Sequence, residues 1–121
     1  MFFGNILTPK NLITPADKVM VWKGRIKPGF EQEYIRRHDE IWPEMIETLK
    51  AAGICNYTIF LAGNTLFGYY ECEKGIAFAD NVKVGSDVIK RWNAYMSDIL
   101  ELDVDPVLGK ASTLKQVFRL E

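Results

Sequence analysis

The chain has 121 residues, 48% of them hydrophobic and 26% charged, with a formal net charge of -1, a composition expected of one globular domain that buries a core without disulfides or metals. That balance excludes a disordered chain, and with no run of Lys or Arg it offers a polyanion no electrostatic footprint, so nucleic acid is not an expected partner. No stretch approaches the roughly 20 apolar residues of a membrane span, and residues 1–18 lack the charged and apolar regions of a secretory signal, so no membrane association and a cytoplasmic location are expected.

Residues 1–18 read as an N-terminal extension, and residues 19–121 as a single domain. Residues 19–27 put Met20, Trp22 and Ile26 on one side at period two and stop at Pro28-Gly29, which marks a first strand. Across residues 31–52 the apolar positions Tyr34, Ile35, Ile41, Trp42, Met45, Ile46 and Leu49 recur at three and four, so this is an amphipathic helix stopped by Gly53. Pro43 lies inside it and removes a backbone donor, which predicts a kink or break just after His38. Residues 56–62 and 65–73 form two β-rich runs around Gly63-Asn64, a hairpin signal. Residues 74–85 read as loose. Ser86 can cap a second helix that carries Val88, Ile89, Trp92, Tyr95, Met96 and Ile99 and ends near Leu102. Residues 103–113 read as a loop and residues 114–120 as a last strand.

The resulting order, β-α-β-β-α-β, is that of an α+β, ferredoxin-like fold: a four-stranded antiparallel sheet with two helices on one face. Its other face would expose large side chains such as Tyr57 or Phe60, and a homodimer with facing sheets would cover them. Cys55 and Cys72 belong to no metal-ligand spacing and read as reduced core thiols.

The chain's one histidine, His38, interrupts an apolar stripe, one helical turn after Tyr34. The plainer reading is a half-buried histidine satisfied by a backbone carbonyl. The chemical reading is a proton-transfer group near neutral pH beside a tyrosine that positions a hydroxylated ligand. Trp92 and Tyr95 on the second helix, with Tyr57, Tyr69 and Tyr70 on strands, supply the aromatic planes and hydroxyls that a sugar site uses, although aromatics at helical spacing are more often core. Asp39, Glu40, Glu44 and Glu47 interleave with Arg36, Arg37 and Lys50 and read as a solvated charged face. No phosphate loop, metalloprotease, nucleophile-elbow or dinucleotide motif occurs, so neither a metal nor a cofactor is expected.

The run Tyr34-x-x-x-His38-x-x-Ile41-Trp42-Pro43-Glu44, then Asn56-Tyr57, Leu66-Phe67, Arg91-Trp92 and Tyr95-Met96, resembles the L-rhamnose mutarotase family in order and spacing over residues 19–120. The resemblance implies a dimeric α/β barrel of ferredoxin-like subunits and a carbohydrate isomerase that interconverts sugar anomers. In it the position of His38 donates a proton, and those of Tyr34, Tyr57 and Trp92 contact L-rhamnose or a related 6-deoxy-hexose. Asn93 stands where the family usually has a second tryptophan, so an amide is expected to meet the sugar there. Residues 102–113 also differ from the family's usual loop before the last strand. Two other readings remain open: another enzyme of the same barrel class, such as a cofactor-free oxygenase or a haem-degrading protein, and a sugar-binding module without turnover.

Overall fold

A computed structural model describes residues 16–102 and 113–120. After one 3-10 turn at Ala16–Lys18 come β1 (Val19–Ile26), α1 (Glu31–Asp39), α2 (Pro43–Ala51), β2 (Ile54–Ala62), β3 (Thr65–Cys72), α3 (Ile76–Val84), α4 (Asp87–Met96) and β4 (Leu100–Leu102). The strands make one antiparallel sheet in the order β2-β3-β1-β4. This is the expected α+β, ferredoxin-like sheet. The first expected helix is split into α1 and α2, the second corresponds to α4, and α3 lies in the stretch expected to be loose.

The break in the first helix lies where Pro43 predicts it. α1 ends at Asp39, and Pro43 opens α2 at a position where its missing N–H costs nothing. The second helix is capped as expected, with the Ile89 N–H donating to Ser86 Oγ at 3.1 Å, but it stops at Met96, where Ser97 Oγ donates back to the Ala94 carbonyl at 2.7 Å. The missed helix α3 begins at Gly75 with no side-chain cap and buries only Ala79, so its sequence carries neither a start signal nor an apolar stripe.

The last strand is Leu100–Leu102, paired with Gly24, Arg25 and Ile26, and not residues 114–120 as their alternation predicts. Residues 100–102 reach the open edge of β1 directly after α4 and occupy it first. Among the described residues beyond them, Thr113 alone bridges to Trp22, with the Leu114 N–H on the Val21 carbonyl at 2.8 Å, and residues 114–120 lie exposed. Of the loop expected at residues 103–113 only Thr113 is described, and most of the proposed extension at residues 1–18 also falls outside the described residues.

All helices pack against one face. Ile26, Leu66, Tyr34, Met45, Ile89, Trp92, Met96 and Ile99 form the main core, and Ala52, Ile54, Tyr70, Cys72 and Ala79 a second cluster. On the opposite face Phe60 pairs with Phe67, and these side chains are 62% and 36% exposed. Cys72 is buried and Cys55 half-buried, both as free thiols.

Candidate active site

The broken helix ends in the site. Tyr34 and His38 occupy one face of α1, one turn apart, with their rings stacked at 4.3 Å. His38 Nδ1 lies 3.1 Å from the Tyr34 carbonyl. A carbonyl only accepts, so Nδ1 carries the proton of the neutral ring and Nε2 keeps the lone pair. Burial pushes the His38 pKa below its ordinary value, against the smaller opposing effects of the Tyr34 carbonyl and the Asp39 charge. At neutral pH the imidazole is therefore uncharged, with one nitrogen able to accept a proton. As the plainer reading expects, the carbonyl satisfies one nitrogen, and the other keeps its lone pair.

Tyr57 reaches this site because of a bulge. In β2, Cys55 faces Glu71 and Thr58 faces Tyr69, so Asn56 and Tyr57 together stand opposite Tyr70 alone. Asn56 takes the left-handed conformation, φ 49°, and its Nδ2 donates to Glu71 Oε1 at 2.8 Å. The extra residue shifts the alternation by one, which puts Tyr57, Ile59 and Leu61 on the helix side and Thr58 and Phe60 outside. Without it Tyr57 would face outward, as simple alternation predicts. Its ring tilts against Tyr70 with centroids 4.9 Å apart, and its hydroxyl accepts from Trp22 Nε1 at 3.0 Å. Desolvation holds the phenols of Tyr34, Tyr57 and Tyr70 above their ordinary pKa, so all three stay protonated. Tyr34 is only 6% exposed, and among the described residues its hydroxyl has no hydrogen-bond partner.

Trp92, 7% exposed on α4, closes the site from the other side. Its indole meets His38 edge-on at 5.4 Å and Trp42 edge-on at 5.1 Å, so it braces both sides of the helix break. Two ionic ties hold the same arrangement at the surface. Arg91 bridges Glu44 of α2 at 2.8 Å and Asp87 at 3.0 Å. Arg37, nearly buried, donates to Glu33, to the Tyr95 carbonyl and to Asp98, with its guanidinium 4.4 Å above the Tyr95 ring.

These parts enclose a cavity of about 400 Å³ lined by Tyr34, His38, Tyr57 and Trp92 over an apolar floor of Ile41, Met45, Leu49, Ile59 and Leu66. The size suits a small organic ligand. Of the five site residues expected from sequence, four meet here. Asn93 does not line the cavity and is exposed on α4. Tyr69 bonds Glu71 on the outer side of the sheet, and Tyr95 serves Arg37, so neither joins the ligand space. Asp39, set aside as part of a charged face, lines the cavity. Its place directly after His38 was the one available signal. The apolar floor follows from the helix and strand patterns, whereas nothing in the sequence marks Trp22 as a partner of Tyr57. Among the described residues no group of His, Cys, Asp or Glu could hold a metal ion, and no helix is long and apolar enough to cross a membrane.

Known proteins are similar to this chain. A family model described as L-rhamnose mutarotase matches residues 20–120. An L-rhamnose mutarotase of Flavobacterium johnsoniae is 41% identical over 100 residues, covering 80% of this chain and 90% of its own. One from Listeria monocytogenes is 43% identical over 97 residues, 77% of this chain and 88% of that protein. The crystal structure of an L-rhamnose mutarotase from Formosa agariphila superposes with a TM-score of 0.67 at 30% identity, covering 86% of this chain and 99% of that one.

Proposed function

This chain belongs to the L-rhamnose mutarotase family, and from that premise we propose that it is an isomerase interconverting the α and β anomers of L-rhamnose by opening and closing the pyranose ring. The observation that supports the mechanism is the hydrogen bond from His38 Nδ1 to the Tyr34 carbonyl, which leaves the Nε2 lone pair available for proton exchange on a residue that lines a cavity of monosaccharide scale.

In the forward step neutral His38 Nε2 takes the proton of the anomeric hydroxyl. The bond from the anomeric carbon to the ring oxygen breaks, a carbonyl forms at that carbon, and a water gives the ring oxygen its proton. After rotation of the open aldehyde the ring hydroxyl adds to its other face, the imidazolium returns its proton to the new anomeric oxygen, and the ring hydroxyl's proton restores the donor. The family resemblance casts the position of His38 as proton donor. The tautomer here makes acceptance its first act and donation its second, so one residue serves both directions. Tyr34 and Tyr57 hold sugar hydroxyls as neutral phenols, and Trp92 with the apolar floor covers the C–H face and the 6-methyl group. Because anomer exchange already proceeds in water, the site need supply only a modest part of the ~8 to 23 kcal/mol by which enzymes lower barriers.

The working unit is a homodimer in this proposal, each outer sheet face covering the other. The adjacent exposed Phe60 and Phe67 support it, as do Val117 and Phe118 of the exposed carboxy-terminal segment, 87% and 78% exposed. Two free cysteines fit a reducing, cytoplasmic setting.

Saturation-transfer proton NMR on the anomeric signals of L-rhamnose, L-fucose and D-glucose tests the reaction. Faster exchange for L-rhamnose than for the other two is the expected result. Equal exchange in the presence and absence of protein for all three, with line broadening from binding, would favour a binding module.

A further inference from the structure

We infer that Trp22 is a positioning residue for this site: its indole N–H fixes the hydroxyl of Tyr57 so that the Tyr57 proton is turned toward the sugar. The inference rests on the proposed mutarotase reading of the cavity, and it adds a residue that does not itself line that cavity.

The geometry has three parts. Trp22 lies on the helix side of β1, directly across from Gly68 of β3. A Cβ on Gly68 would overlap the indole at Cε2 and Nε1, so the ring lies flat over the backbone of the neighbouring strand, and only glycine permits that. Lying there, the indole projects Nε1 across β3 to β2, where it meets the Tyr57 oxygen at 3.0 Å. An indole nitrogen only donates. The Tyr57 oxygen therefore receives, and its own proton is left to donate. Tyr70 fills the space beside the Tyr57 ring, so the phenol is held from two directions.

The bulge at Asn56 brings Tyr57 to the inner face but leaves its hydroxyl free to rotate. Trp22 removes that freedom. It also places a donor against the oxygen on which negative charge gathers whenever the phenol donates to a sugar oxygen, and such linked hydrogen bonds reinforce one another. Trp22 thus acts through Tyr57 and touches no substrate.

The test combines kinetics with a spectroscopic signature. In anomer-exchange assays, Trp22→Phe keeps an aromatic ring and loses the donor. It is expected to lower kcat/KM roughly three- to tenfold, the worth of one neutral hydrogen bond. In a Tyr57→Phe background the same substitution should change the rate less than about twofold, since its target is gone. A purely structural Trp22 would lower both backgrounds alike, and that result overturns the inference. The chain's three tryptophans give three indole N–H resonances, and that of Trp22 is identified by its loss in Trp22→Phe. It should move upfield in Tyr57→Phe and should respond to added L-rhamnose only while Tyr57 is present. An unmoved resonance in Tyr57→Phe overturns the inference even if Trp22→Phe does not fold. Failure of the wild-type protein to speed exchange would instead remove the mutarotase reading, while the resonance still decides whether Trp22 holds the Tyr57 hydroxyl.

Discussion

In the proposed mechanism, replacing His38 by Ala removes the base that takes the anomeric proton, while burial holds the surrounding phenols protonated. General acid and base catalysis contributes about 10² to 10⁴-fold, so kcat for rhamnose exchange should fall by at least ~100-fold after subtraction of the spontaneous rate. In the same mechanism Tyr34→Phe removes only a hydroxyl that would hold the sugar, and a loss of about three- to tenfold is expected. The pH profile separates the roles of the imidazole. Because burial lowers the His38 pKa, the neutral base is present at and above its ordinary value of 6.5, and the rate should fall on acidification with a midpoint below 6.5. Stability follows the same sign. The folded state binds this proton less readily than the unfolded chain, so the His38 contribution is fully present above 6.5 and is lost as pH falls toward the folded value. The assay is two-dimensional exchange NMR of the anomeric protons from pH 5 to 8, with thermal melts over the same range. Wild-type exchange by His38→Ala, or a rate that climbs as pH drops below 6.5, would refute the base assignment.

Arg37→Met should lower stability by about 2 to 3 kcal/mol in denaturant melts, because it removes the charged hydrogen bonds from α1 to Asp98 and the Tyr95 carbonyl. Asn56→Val forces a β-branched residue into a left-handed backbone and should cost about 1 to 3 kcal/mol together with much of the exchange rate, whereas Asn56→Gly keeps both. Phe60→Glu on the outer sheet face should convert a two-subunit mass in light scattering to one subunit. An unchanged dimer would disprove the facing-sheet arrangement.

The regular parts of this fold were legible in the sequence and the irregular ones only in part. Period-two and period-three-to-four patterns located β1, β2, β3, α1, α2 and α4, and Pro43 marked the break between α1 and α2. α3 escaped because Gly75 offers no capping side chain and its apolar residues Phe78 and Val84 stay exposed. The fourth strand was misplaced because alternation in residues 114–120 is a local signal, while the choice of edge partner depends on which segment reaches β1 first. In the site, His38, Tyr34 and Trp92 could be placed together because each sits on the inner stripe of a helix. Asn93 could not join them, since the residue after Trp92 is turned about 100° around an α-helix, out of the stripe that faces the core.

What sequence patterns do not convey is how far the cavity depends on departures from regular structure. The helix break leaves His38 in the last turn of α1 while Trp42 caps the next segment, and Trp92 packs edge-on with both, so α4 fixes the angle between the two pieces. The bulge turns Tyr57 inward by adding a residue to β2, and Gly68 lets Trp22 lie flat enough to reach it. Each departure carries a local cost: an interrupted helix ladder, a left-handed Asn56, a glycine inside a strand. Regular elements would avoid all three costs, and they would also leave Tyr57 on the outer face. The candidate site is therefore assembled at positions where local preference is overruled. Substitutions that restore ideal geometry there, such as Asn56→Thr or Gly68→Val, should damage catalysis even where intrinsic β propensity predicts a better strand.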